Sequence, residues 1–209
     1  MPNASATKTR SYHHGDLRNA LVREASQLVE QEGAAKLSLR GLARRLGVSH
    51  AAPAHHFAGR DELLMEIAAE GFADLADALE QALEGDDVEV QAGLAYLEVA
   101  LGHPERFRLM FGSRTRAEVE PPERLRLESR RAYSALLRVA RGRGAADRAP
   151  DEPEEPMQAA ELSTWSLIHG ATTLYLDGAL PAVDSESAFR ALVTEMLKDH
   201  HTTASRSAR

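Results

Sequence analysis

Histidine is the side chain in this sequence with the widest chemical range, and its spacing limits what it can do. His13-His14, His55-His56 and His200-His201 are adjacent pairs, so on a helix their rings point in different directions and none forms an i, i+4 metal site. His169 and Asp177 could face one cavity, but two helical turns separate them by about 12 Å along the axis, which excludes an acid–base dyad. No glycine-rich phosphate loop is present. We therefore predict no catalytic residue, no metal and no cofactor, and hence no enzyme.

One aromatic and polar pair could instead bind a small molecule. Trp165 and His169 lie one turn apart on one helix face and could line a cavity, the indole giving contact area and the imidazole one polar contact. Alternatively Trp165 belongs to the core and His169 bonds a neighbouring backbone group. Gly170 within the helix predicts close approach by another helix. Further residues that could border the pocket, or be plain core, are Phe107, Met110, Phe111 and Tyr133.

The charge of the chain is divided unevenly. The net charge is −7, yet residues 1–60 carry nine Lys or Arg against four Asp or Glu, a net +5 that leaves −12 for the other 149 residues. DNA affinity comes chiefly from cations set against phosphates. The asymmetry predicts that the N-terminal part meets a polyanion, although chance clustering of surface charge would give the same numbers.

Apolar periodicity predicts an all-α fold, because nearly every long stretch has the helical period and none alternates like a strand. A first helix ends at Gly33, with Asp16 as its N-cap. A short helix follows over 39–46 with Ser38 as its cap, and a second short helical segment runs from His50 to Phe57 with Ser49 as its cap. Later helices are predicted over 60–83, 88–101, 104–111, 122–139, 157–180 and 185–199.

Two short helices joined by a turn containing glycine, with a third helix behind them, are the geometry of a helix-turn-helix. Gly47 can adopt the left-handed backbone of that turn, and Val48 fills the gap between the helices. The second short segment would enter the major groove with its first residues on base edges. The residues predicted to contact DNA are Lys36, Ser38, Arg40, Ser49, His50, Ala51, Ala52, Ala54, His55, His56 and Arg60. The alternative is a helical hairpin inside a larger core, without DNA.

The stretch LSLRGLARRLGVSHAAPAHHFAGRDELL, residues 37–64, resembles the DNA-binding domain of the tetracycline repressor (TetR/AcrR) family. YHHGDLR, residues 12–18, and the sequence around Trp165-His169-Gly170 are similar to a subgroup whose C-terminal domain is named for a Trp-His-Gly signature. Members of the family commonly have a phosphate-contacting tyrosine two residues before the His-Phe pair. Ala54 stands there in this chain, so the resemblance implies that this contact is missing.

The resemblance implies about nine helices, a homodimer formed by the last two long helices, and two recognition helices reading a palindromic operator. A small-molecule effector bound between the middle helices would release the DNA. We therefore expect a ligand-responsive regulator, most simply a repressor. The rival interpretation is a small-molecule-binding or catalytic helical protein that keeps the hairpin as scaffold. Replacing Arg40 or His56 should weaken binding to every sequence, whereas replacing His50 or Ala52 should change base preference.

The expected organisation is an N-terminal three-helix bundle with the helix-turn-helix, followed by a helical ligand-binding and dimerisation domain. We place the first at residues 1–60, with a flexible basic arm over 1–13, and the second at 61–200, with a mobile loop over 142–156. Residues 201–209 are expected to be a disordered tail. No apolar run reaches the roughly 20 residues that span a membrane, no secretory signal is visible and cysteine is absent, so we expect a cytoplasmic protein.

Overall fold

The structure, a computed structural model, describes residues 14–112, 120–141 and 157–207. The described part is helical and contains no β-strand. Its α-helices are α1 (His14–Glu32), α2 (Leu39–Leu46), α3 (Arg60–Leu83), α4 (Val88–Gly102), α5 (Pro104–Phe111), α6 (Glu123–Arg141), α7 (Ala159–Leu176) and α8 (Glu186–Ser207). Short 3-10 helices cover Ala34–Lys36 and Ala52–His55. The predicted all-α fold, an N-terminal helix-turn-helix followed by a helical C-terminal part, is confirmed.

Several predicted boundaries differ from those observed. α1 begins at His14, ahead of the predicted cap Asp16. α8 continues to Ser207, so the helix runs through most of the segment expected to be a disordered tail. Residues 201–207 contain neither proline nor glycine, and nothing in their backbone chemistry ends the helix there. The predicted basic arm, 1–13, and the predicted loop, 142–156, lie outside the described residues.

The second short helix is shorter and tighter than predicted. Residues 50 and 51 form a turn, and the helical part is a 3-10 helix over Ala52–His55. Pro53 explains the difference, since in an α-helix its ring would clash with the carbonyl of Ser49, four residues back. The bonds are of the i to i+3 kind: the N–H of Ala52 donates to Ser49 O at 3.0 Å and that of Ala54 to Ala51 O at 3.1 Å. The residue at the N-cap position of this 3-10 helix is Ala51, whose side chain makes no capping bond, so the predicted cap Ser49 does not occupy that position.

Helix α3 is the central helix of the described part of the chain. It packs against α1 at the N-terminal end and against α4, α5 and α6 further along. Leu63 and Leu64 are buried near its start, and Leu75 and Leu79 near its end. Each such leucine contributes about 1.5–3 kcal/mol by leaving water. One continuous apolar core therefore runs along α3, which packs on both the N-terminal helices and α6.

Close packing fixes α7 and α8 on the rest of the chain. Gly93 on α4 lies so close to Leu197 on α8 that a Cβ at Gly93 would overlap the leucine side chain. Tyr175 on α7 stacks on Phe189 on α8, with centroids 4.1 Å apart and planes at 3°. Gly170 differs: the structure places no described atom within 4 Å of a Cβ built there, so the predicted close approach of another helix is wrong within this chain.

Candidate DNA-binding surface and ligand pocket

The turn between α2 and the 3-10 helix has the geometry that its residues predict. Ser38 caps α2, its Oγ accepting the N–H of Gly41 at 3.1 Å, which leaves the hydroxyl proton to donate outward. Gly47 has φ 67°, a left-handed conformation that costs L side chains about 1–2 kcal/mol. The N–H of Gly47 donates to Arg44 O and that of Val48 to Ala43 O, the two bonds of a Schellman motif. The turn is therefore rigid and sets the direction of the segment that follows.

The segment after the turn presents one face outward. Pro53 and Phe57 are buried and anchor it. The predicted DNA contacts Ser49, His50, Ala51, Ala54 and His55 are exposed, and Ala52 and His56 are half-buried. The exposed face consists mainly of methyl groups and imidazoles, which can contact thymine methyls and hydrogen-bond acceptors in the major groove.

Cationic side chains lie near this segment, but one of the predicted DNA contacts, Arg60, makes hydrogen bonds within the protein instead. Lys36 and Arg40 are exposed at the end and beginning of neighbouring helical turns. Arg60 instead donates to the carbonyl oxygens of Ala34 at 2.5 Å and Leu37 at 3.1 Å, which ties the start of α3 to the loop before α2. Its guanidinium thus has a structural task that the sequence did not reveal. Arg44 is a further cation near this segment, exposed in the last turn of α2, and it was not among the predicted DNA contacts. The excess of Lys and Arg in residues 1–60 was the signal that could have pointed to it.

A buried carboxylate joins the two halves of the protein. Glu66 on α3 is 3% exposed and pairs with Arg18 of α1, at 2.9 Å, and with Arg124 of α6. The Arg18 guanidinium also lies 5.1 Å from the centroid of the Phe57 ring, a cation–π distance. We call Arg18, Glu66 and Arg124 the interdomain cluster. Burial alone raises the pKa of Glu66, but the hydrogen bonds and charges of both arginines outweigh it, so the pKa is lowered.

An apolar pocket of about 290 Å³ lies among α3, α4, α5, α6 and α7. Four of the predicted ligand residues line it: Met110, Phe111, Tyr133 and Trp165. Lining residues that the sequence did not single out are Phe72, Leu75, Tyr96, Pro121, Leu125, Arg126, Ser129, Ala132 and Leu136. They come from helices distant in sequence, so only their shared apolar character could have been noticed beforehand. The pocket is lined by aromatic and aliphatic side chains in similar numbers, with a few polar groups contributed by α6.

His169 and Phe107, also predicted to border the pocket, lie behind its wall. His169 Nδ1 is 2.8 Å from the Tyr96 hydroxyl, and the Phe107 ring stands edge-on to Tyr96 at 5.6 Å. Burial lowers the pKa of His169 and raises that of Tyr96, which favours the neutral form of both groups. In the tautomer that carries its proton on Nε2, the imidazole accepts a hydrogen bond from the hydroxyl at Nδ1. His169 therefore bonds a side chain and holds Tyr96 in place, where the alternative interpretation expected a backbone partner.

Other chemistry has little support in the described residues. No group of three His, Asp or Glu within the described ranges could hold a metal ion. Asp177 pairs with Arg108, at 3.3 Å, instead of facing His169. Across the same ranges, none of the helices combines the length and apolar character needed to cross a membrane.

Two family models match the chain. One, described as "Bacterial regulatory proteins, tetR family", matches residues 21–67, and the other, described as "Tetracyclin repressor-like, C-terminal domain", matches residues 90–196. The first covers the helix-turn-helix and the start of α3. The second covers all the pocket-lining residues except Phe72 and Leu75, and the first half of α8. Neither description carries the Trp-His-Gly signature, so that subgroup stays a prediction.

Curated relatives and solved structures agree with these models. An HTH-type transcriptional regulator of Mycobacterium tuberculosis is 35% identical over 99 residues, which are 44% of this chain and 42% of that protein. The match thus spans less than half the length of the curated relatives. A Rhodococcus sp. RHA1 protein of unknown function is 30% identical with a TM-score of 0.70, covering 91% of this chain and 98% of that one. PfmR, a TetR family regulator of Thermus thermophilus, has the same fold, with 23% identity, coverage of 85% and 97%, and a TM-score of 0.56.

Proposed function

Because this chain belongs to the tetracycline repressor family of DNA-binding transcription regulators, we propose that it represses transcription from a palindromic operator and that a small molecule in its pocket releases it. The family is one of regulators, not of enzymes. The observation that carries the proposal is the pairing of an exposed recognition segment, at His50 to His55, with an apolar pocket connected to it through α3.

We propose further that the chain is a homodimer through α7 and α8. Leu162, Ser166, Gly170 and Leu174 follow one another at i+4 spacing on α7 and form one stripe, which we call the α7 stripe. Its two leucines are 51% and 49% exposed, and the space beside Gly170 is open. Leu192 on α8 is 48% exposed as well. Large exposed leucines flanking a small-residue groove favour the packing of a helix from a second copy.

The interdomain cluster supports a route from ligand to DNA. Leu125 and Arg126, which line the pocket, are next to Arg124 on α6. Arg124 holds Glu66, and Glu66 holds Arg18, which lies against Phe57 at the end of the recognition segment. A ligand that moves the start of α6 would therefore change the support of that segment. Coupling of this kind requires only that the ligand prefer one of the two arrangements.

The test of DNA binding is a mobility shift with DNA from upstream of the protein's own gene. We expect affinity to fall steeply with salt, as counterions are released from neutralised phosphates. Arg40→Gln should weaken binding to every sequence and reduce the slope of log K against log salt by about 0.9 per subunit. His50→Ala should instead change the preferred base.

Arg138→Gln, on α6, is the matched control because it removes the same charge far from the recognition segment. It should leave both the affinity and the salt slope unchanged. If Arg138→Gln weakened binding as much as Arg40→Gln does, the effect would belong to overall charge, and the proposed surface would be wrong. Binding that does not depend on salt would overturn the DNA-binding role itself.

A further inference from the structure

A second cavity of different chemistry adjoins the pocket. The inner cavity, about 290 Å³, is walled by aromatic and aliphatic side chains. The outer cavity, about 340 Å³, is an open groove along one face of α6 and is lined by Arg126, Ser129, Arg130 and Tyr133. Arg126, Ser129 and Tyr133 line both cavities. The apolar inner cavity therefore borders, at a rim formed by these three residues, an open groove that carries two guanidinium groups.

We propose that the ligand is an amphiphilic monocarboxylate, with its apolar body in the inner cavity and its carboxylate on Arg126. This inference rests on the proposed function, because it names the ligand class of the same pocket. A guanidinium binds a carboxylate through two parallel hydrogen bonds. The walls of the inner cavity make mainly apolar contacts, which suit the apolar part of the ligand. The Ser129 hydroxyl at the same rim already donates to the backbone carbonyl of Arg126 at 3.3 Å, so the Arg126 guanidinium is the donor on which the proposal relies.

The volume of the inner cavity limits the size of the ligand's apolar part. A cavity of about 150 Å³ holds a molecule the size of benzene, so one of about 290 Å³ accommodates about twelve non-hydrogen atoms. An alkyl chain of medium length or a single ring with a short chain has this size. Both present the same chemistry to Arg126, and the experiment below separates them.

Glu120 is the competitor that a ligand must displace. Its Oε1 lies 2.8 Å from Nη1 of Arg126, and the side chains are 82% and 48% exposed respectively. An ion pair so exposed contributes little, because water screens it and both side chains lose freedom. A ligand carboxylate arrives together with an apolar body that excludes water from the rim, which strengthens its own interaction with Arg126.

The charges at the rim argue against a cationic ligand. Aromatic walls can hold a cation over their faces, but no Asp or Glu of the described residues lines either cavity. A positive group at the rim would lie beside the guanidinium of Arg126, whose own partner there is Glu120. A neutral ligand would leave that ion pair intact, so the sign of the charge on the ligand is the property to test.

The test uses two probe pairs of about the right size, each a carboxylate and its alcohol: decanoate with decan-1-ol, and 4-phenylbutyrate with 4-phenylbutan-1-ol. Binding to the full chain is measured by titration calorimetry and by the fluorescence of Trp165, the single tryptophan of the sequence and part of the pocket wall. We expect at least one carboxylate to bind at least about tenfold more tightly than its alcohol. The tighter carboxylate identifies the body as alkyl or aryl.

Arg126→Gln should remove the preference for the carboxylate and leave binding of the alcohol unchanged, while Arg138→Gln, which lines neither cavity, keeps the preference. Equal binding of acid and alcohol, an intact preference in Arg126→Gln, or no binding of any probe would each overturn the inference. Operator binding is measured on the same preparations. If the protein binds the operator but shows no preference for the carboxylate, only the proposed ligand class is rejected. If the protein does not bind the operator, the proposed function is rejected, and the titration still shows whether the pocket prefers a carboxylate.

Discussion

Leu192→Glu is expected to convert the proposed dimer into monomers and to abolish tight binding to a palindromic operator. The leucine contributes about 1.5–3 kcal/mol when buried, and a two-fold interface contains it twice. A glutamate in its place must also lose its hydration. The dissociation constant should rise by about a thousandfold or more. Sedimentation velocity should show a species near 22.8 kDa in place of one twice that mass.

Leu127→Glu provides the matched control, since Leu127 on α6 is 53% exposed and Leu192 is 48% exposed. Leu127 lies outside α7 and α8, so its replacement should leave the dimer intact. Dissociation by Leu127→Glu alone would place the interface on α6 instead. If neither variant changed the mass, the surface of α8 around Leu192 would not be part of an interface.

Glu66→Gln is expected to lower the free energy of unfolding by about 2–3 kcal/mol, because it leaves two arginines facing an uncharged amide. Removing one partner of a fully buried pair costs about 3–5 kcal/mol. The value here should be smaller because Arg18 and Arg124 are 40% and 45% exposed and keep part of their hydration. Urea unfolding at neutral pH measures the loss.

The pH dependence of this loss has a definite sign. The pKa of Glu66 is lowered from 4.5 in the folded protein. The carboxylate therefore stabilises the fold above pH 4.5, and this contribution disappears as the pH falls through the lowered pKa. Wild type and Glu66→Gln should differ most at neutral pH and become alike in acid.

Glu98→Gln is the control for Glu66→Gln because Glu98 also has a lowered pKa and an arginine partner, Arg190, but is 60% exposed. An exposed pair of this kind should cost less than about 1 kcal/mol. Equal losses for the two variants would mean that burial adds nothing at Glu66. The interdomain cluster would then hold the two halves together no more strongly than an exposed ion pair does.

Features determined by residues near in sequence could be predicted. The bounds of α5 are those expected, because Pro104 and Gly112 are local signals for the beginning and end of a helix. The cap Ser38 and the left-handed Gly47 likewise depend only on neighbours in the chain. At the 3-10 helix the local signal, Pro53, was visible, but its effect on the whole turn was underestimated.

Features determined by residues distant in the sequence could not be predicted. Glu66 pairs with Arg18 and Arg124, which are 48 and 58 residues away in the sequence. A periodic sequence pattern does not predict a pairing over such distances. Arg60 had the right type for a phosphate contact, yet two carbonyl oxygens near the start of α2 engage it. The sequence predicted pocket residues on α5 and α7 as an aromatic and apolar set. It could not show which of them line the pocket, as Trp165 does, and which lie behind its wall, as His169 does, because this depends on the packing of five helices.

The overlap that any side chain at Gly93 would make with Leu197 has a consequence for how this protein can evolve. Every replacement adds at least one carbon atom where the end of the Leu197 side chain lies, so this leucine must change its rotamer, become a shorter residue or move together with α8. A change at residue 93 is therefore expected to be accompanied by a change at residue 197 more often than to occur alone.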